Sequence, residues 1–161
     1  MLINTAFTQQ YALVRSARSI LLDYCASFAP THFSTPVAEM NNGSIRELLV
    51  HVAGCYYYWL GEVGLNQKAT RPQPESVPDV AALRARFAEV DALVAEFSQH
   101  YAAEWLVPKS LILPRQAQPL ELTPLQLFTH AITHEFHHRG QVLSMSRLLG
   151  YVPVDTDIIR T

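Results

Sequence analysis

Four histidines fall within nine positions near the C-terminal end of the chain: His130, His134, His137 and His138. A neutral imidazole nitrogen is a common ligand for transition metals. Residues four apart on a helix are neighbours, and imidazole reaches a metal at about 2.0–2.1 Å. His134 and His138 therefore form an H-x-x-x-H pair able to converge on one ion. His130 and His134 have the same spacing, so periodicity alone does not choose between them. At about 100° per residue, with His130 at zero, His134 falls at about 40°, His138 at about 80°, His137 at about −20° and Gln141 at about 20°. Leu127, Met145 and Leu148 fall in the same sector, which predicts that this face points into the protein. Imidazoles buried in an apolar stripe need partners. A divalent metal supplies them directly; the alternative is a histidine core held by hydrogen bonds.

A further ligand must come from another segment. His51 is the best candidate, set among apolar residues in LLVHVAG with Leu48 and Cys55 on its helix face. Cys55, one turn on, is a possible fourth ligand, though a small buried hydrophobe is the plainer reading of it. His32 and His100 sit near loops and are expected to face solvent. His134-Glu135-Phe136-His137-His138 also satisfies H-E-x-x-H, the zinc-protease motif. No His or Glu follows His138, only Asp155 and Asp157, and no extended sheet is evident to hold a peptide. The protease reading is therefore set aside.

Four helices are predicted to position these residues. The first spans about 4–28, with Phe7, Tyr11, Val14, Leu21, Tyr24 and Cys25 at helical spacing, and ends before Pro30. The stretch 31–43, with Pro36, Asn41, Asn42 and Gly43, reads as a loop. The second helix starts at Ser44, which forms an S-x-x-E capping box with Glu47, and runs to about Gly64. The third covers about 80–101. The fourth takes Thr123 as N-cap and Pro124 at its first position, and ends near Leu149 with Gly150 beyond. Two connections are long, 65–79 and 102–122. In the latter, KSLILP and QPLEL could pair as a small hairpin. Four amphipathic helices of this length predict an all-α four-helix bundle, and long connections permit a crossover. A second apolar strip on the fourth helix, Phe128, Ile132, Phe136 and Leu143, lies roughly opposite the histidines. Read as exposed, it predicts a homodimer.

Composition narrows the function classes. The 161 residues are 49% hydrophobic and 16% charged, which fits one folded domain spanning 1–161. Twelve basic against fourteen acidic residues give a formal charge of -2, with Lys68 and Lys109 the only lysines. A nucleic-acid binder would show a basic excess. No apolar run approaches the roughly 18–20 residues that span a bilayer. The polar start MLINTAFTQQ is unlike a signal peptide. Cys25 and Cys55 do not make a disulfide framework. An intracellular, cytoplasmic protein is expected, without nucleic-acid or membrane partners.

The segments SIRELLVHVAGCYYYWLGEVG and LQLFTHAITHEFHHRGQVLSMSRLLGYVPVDTDI resemble the DinB-like (YfiT-like) superfamily of metal-binding four-helix bundles, distinct from the DNA polymerase that shares the name. H-x-x-x-H-R-G-Q at 134–141, preceded by His130 and followed by L-G-x-x-P, carries most of the resemblance. It implies an up-down-down-up topology and a metal held by His51, His134 and His138. His130 and Gln141 are then candidates to support the ligands or a bound water without binding the metal, and Arg139, which points away on the wheel, is structural. Glu135 lies about 100° from His134, which argues against a direct catalytic role. Gly140, inside a helix, suggests close helix approach. Three protein ligands leave an open coordination position, as in catalytic sites. Histidine nitrogen suits zinc, nickel, copper and iron, with zinc or nickel the expected ion. Characterised members of this superfamily look like thiol-dependent transferases and isomerases. The resemblance thus implies a metal-dependent S-transferase-like enzyme joining a low-molecular-weight thiol to an electrophile, in a pocket near Cys55, Tyr56, Tyr57, Tyr58 and Trp59. The alternatives are a non-catalytic, stress-related metal-binding protein and a metal-dependent hydrolase.

Overall fold

The computed structural model describes residues 2–68, 70–113 and 118–160. Its four long helices are α1 (Leu2–Ala26), α2 (Ile45–Tyr56), α3 (Val80–His100) and α4 (Pro124–Leu148). The one sheet among the described residues is an antiparallel pair, β1 (Lys109–Leu111) with β2 (Leu120–Leu122), in the register Lys109 opposite Leu122. This is the hairpin expected within KSLILP and QPLEL; Pro114 lies outside the described residues. The chain is an all-α helical bundle with a minimal hairpin in its last long connection.

The helix ends follow from their capping residues. The Ser44 hydroxyl accepts from the Glu47 N–H while the Glu47 carboxylate accepts from the Ser44 N–H. Thr123 and Gln126 repeat this arrangement at the start of α4. Gly150 lies at φ 89. The Gly150 N–H donates to the Arg147 carbonyl and the Tyr151 N–H to that of Ser146, a Schellman ending that favours glycine at this position. The helix begun by α2 continues to the expected Gly64, but residues Tyr57–Gly64 are wound as a π-helix. Gly64 itself is a close approach: a Cβ there would stand 2.5 Å from Phe97 Cε2.

Contacts between helices follow a consistent order. Along α1, Phe7, Arg18 and Tyr24 meet Phe128, Glu135 and Ser146 of α4. Asp23 and Tyr11 of α1 meet Arg84 and Asp91 of α3. His51 and Trp59 meet His138 and His130 of α4. Tyr57 meets Glu89, and Gly64 accepts from Tyr101 just past α3.

The buried face of α4 differs from the one expected. Phe128, Ala131, Ile132, Glu135, Arg139, Val142 and Ser146 are buried, and these positions centre roughly 150° from His130 on the wheel. Of the strip read as exposed, Phe128 and Ile132 are buried in the core, and Phe136 and Leu143 are half-buried at its edge. Phe128 packs edge-on against Phe7 and Trp105, so the chain's own first helix and last long connection cover that end of the strip. The histidines sit on the flank of the core face, not at its centre. His134 and His138 are half-buried, whereas His130 and His137, farther round, are exposed. Leu127 and Met145 of the same sector are buried, and Leu148 is exposed. Glu135 and Arg139 interrupt the apolar pattern of the core face, which is why hydropathy alone misplaced it.

These charges are matched inside the bundle. Arg18 donates from Nε and Nη2 to both carboxylate oxygens of Glu135, at 3.0 and 2.9 Å. Tyr56 donates to Glu135 at 2.7 Å, and Arg139 pairs with it at 3.3 Å. Arg18 also reaches Asp91 of α3 at 2.8 Å. Among the described residues, no helix is long and apolar enough to cross a membrane.

Candidate metal centre

α2 and α4 bring His51, His134 and His138 together. One ligand nitrogen from each lies within 4.8 Å of the others. The His134 and His138 ring centroids are 4.3 Å apart, and His51 lies 5.0 and 4.9 Å from them. The His134 and His51 Nε2 atoms face each other at 3.0 Å. Two nitrogens on one tetrahedral ion stand about 3.4 Å apart, from bonds of about 2.0–2.1 Å, so side-chain rotations that draw the three together would place them on one ion.

His138 is the most informative member. Its Nδ1 lies 2.6 Å from Gln141 Oε1. An amide oxygen only accepts, so Nδ1 carries the proton and Nε2 carries the lone pair. That Nε2 is buried and has no hydrogen-bond partner. A buried, unpaired acceptor is unfavourable, and a metal ion is a partner that His51 and His134 could share with it. Gln141 thus stands beside the histidine group, and its amide oxygen fixes the tautomer of His138.

Protonation favours the same use. Burial, followed by the surrounding imidazoles, pulls His134 down to about 4. Burial also lowers His138. Near neutral pH both rings are uncharged and their lone pairs are available to a cation.

The other candidates divide. His130 stacks on His134 with centroids 5.6 Å apart and meets the Trp59 ring at 4.9 Å. His137 touches His138 but is exposed. His100 is exposed as expected; His32 is half-buried, its Nδ1 2.8 Å from the Tyr151 hydroxyl. Tyr56 turns into the core and Tyr57 reaches Glu89 at 2.6 Å. Cys55, Tyr58 and Trp59 line a cleft of about 640 Å³ together with His51, His130 and His134. Cys55 is buried, and desolvation pushes its thiol up to about 12. Glu135, the would-be general base of H-E-x-x-H, is 4% exposed and engaged by two arginines and a tyrosine. Its charge is spent on structure. Gly140 faces open space, where an added Cβ would meet nothing within 4 Å, so the expected close helix approach is absent there.

One contributor escaped the sequence reading. The 65–79 connection reads as an exposed linker, yet Thr70 to Pro74 border the cleft. Arg71 lies 5.2 Å above the Tyr58 ring and pairs with Glu62 at 3.2 Å. An arginine next to proline in an irregular segment has no periodicity that would announce such a role. A second cleft of about 500 Å³, bordered by Glu47, Leu48, Gln141 and Met145, reaches His51 from the other side.

No curated protein matches this chain. The family model described as DinB family matches residues 1–161. That span takes in both histidine-bearing helices and the L-G-x-x-P segment beyond them, and on this match the chain belongs to the DinB family.

Proposed function

We propose that the chain is a metal-dependent enzyme in which His51, His134 and His138 hold one divalent ion, zinc or nickel, beside a cleft that admits a low-molecular-weight thiol and an electrophile. The observation that carries this is the buried, unpartnered Nε2 of His138, with its tautomer set by Gln141 and two further imidazoles beside it. A bound ion supplies Lewis acidity, making a thiol or a water easier to deprotonate near neutral pH. The protein's own groups do the rest. His51, on α2, and the pair on α4 fix the ligands on two packed helices. Tyr58 and Trp59 offer an aromatic wall for an apolar electrophile, and Arg71 places a cation at the edge of that wall.

The bundle in this reading is up-down-down-up. It is supported by the order of contacts, which runs in step between α1 and α4 and in opposition between α2 and α4. Such a topology needs long connections after α2 and α3, and the chain has them.

The first test is metal content of protein purified without a histidine tag, wild type beside His51→Ala and His134→Ala. About one ion per chain in wild type, lost in both variants, is expected for a three-ligand site. A wild-type protein that holds no ion and takes up neither added zinc nor nickel would overturn the reading. Turnover of an electrophile by loaded protein only when thiol is present separates transfer from hydrolysis, which would proceed without thiol. No consumption under either condition would favour a non-catalytic metal-binding protein.

A further inference from the structure

His134 belongs to a second group of donors. Cys55, His130 and His134 also offer one ligand atom each within 4.8 Å of one another. Cys55 lies one turn after His51 on α2, and His130 one turn before His134 on α4. The two groups are therefore stacked along the same helix pair and meet at His134. All three members of the second group border the aromatic cleft, and Trp59 packs edge-on against His130, fixing that ring against the cleft wall.

We propose that Cys55, His130 and His134 form a second metal site, selective for a thiophilic ion, that shares His134 with the three-histidine group. The donor sets differ in kind. Three imidazoles suit zinc, nickel, copper or iron, whereas a set containing thiolate favours soft ions such as Cu⁺ and Cd²⁺. A sulfur and a nitrogen on one tetrahedral ion stand about 3.6 Å apart, from bonds of about 2.3 and 2.1 Å, so the group within 4.8 Å closes onto an ion by side-chain rotations. Binding releases the Cys55 S–H proton to solvent, because the thiolate is the ligand. Cys25, the other thiol, is buried on α1 and belongs to no such group among the described residues. Two donor sets on one seam make the choice of ion depend on which metal is offered. The site does not require the three-histidine group to be occupied.

Titration of the metal-free full chain with Cd²⁺, followed by the ultraviolet thiolate-to-cadmium charge-transfer band, tests this. The band is expected in wild type, in Cys25→Ser and in His51→Ala, and is expected to vanish in Cys55→Ser. His130→Ala alters an exposed position and carries little folding risk. It is expected to weaken cadmium binding by at least the roughly 10–100-fold that even an outer-shell partner contributes. No band in wild type, a band that survives Cys55→Ser, or unchanged affinity in His130→Ala would each overturn the proposal. These failures are distinct from failure of the three-histidine reading, which rests on zinc or nickel content and its loss in His51→Ala.

Discussion

The two nitrogens of His138 do different work. Nδ1 is tied to Gln141, three residues on along the same helix, and Nε2 is left bare in a buried position. Removing the amide frees the ring to rotate and to exchange tautomers, so part of the ordering cost falls on metal binding. Gln141→Ala is expected to weaken zinc or nickel affinity by about 10–100-fold, measured by competition with a chelator, with the ligand count unchanged. Unchanged affinity would show that the amide is packing and not support. Much at this scale was legible in the sequence, because i and i+4 spacing is a property of the helix itself. His134, His138 and Gln141 share a face by arithmetic alone. The pairing of Cys55 with His130 was not legible, since it depends on how far α2 is shifted along α4, and no single-helix pattern records that offset.

At the scale of elements, two of the helical glycines make opposite statements. Gly140 sits mid-helix on an exposed face with empty space where a Cβ would stand. Gly64 ends the π-wound segment against Phe97, where a Cβ would overlap the ring. Gly140→Ala is therefore expected to stabilise the chain by about 1 kcal/mol through helix propensity. Gly64→Ala is expected to destabilise it by about 1–3 kcal/mol through overpacking. Denaturant midpoints of the two variants against wild type decide the matter, and equal shifts of the same sign would contradict the packing described. Helix ends were readable because caps are local: Ser44 with Glu47, Thr123 with Gln126, and Gly150 each declare themselves in a few residues. The π-winding of Tyr57–Gly64 was not readable. That segment packs against both α3 and α4, and no short residue pattern within it announces a π-turn.

Across the whole molecule, one charged network joins the four helices. Arg18 comes from α1, Tyr56 from α2, Asp91 from α3, and Glu135 with Arg139 from α4. Hydropathy misread the core of α4 for this reason: two charges stand at its centre, and the apolar residues around them look like a surface strip until their partners arrive from other helices. The same arrangement decides what Glu135 does. Were it the general base of a zinc-protease motif, its removal would abolish activity and leave the fold largely intact. Buried as it is between two guanidinium groups, its removal leaves those charges without their shared counter-ion. Breaking such a pair from one side is strongly unfavourable, by about 3–5 kcal/mol. Glu135→Ala is thus expected to lower the unfolding free energy of the metal-free chain by about that amount. Arg15→Ala, at an exposed guanidinium that also pairs with Asp91, is expected to change it by less than about 1 kcal/mol. Equilibrium urea unfolding of the two variants, monitored by helical circular dichroism, measures both. A Glu135→Ala protein as stable as wild type would remove the network from the account of the fold and return that carboxylate to the list of groups available for chemistry.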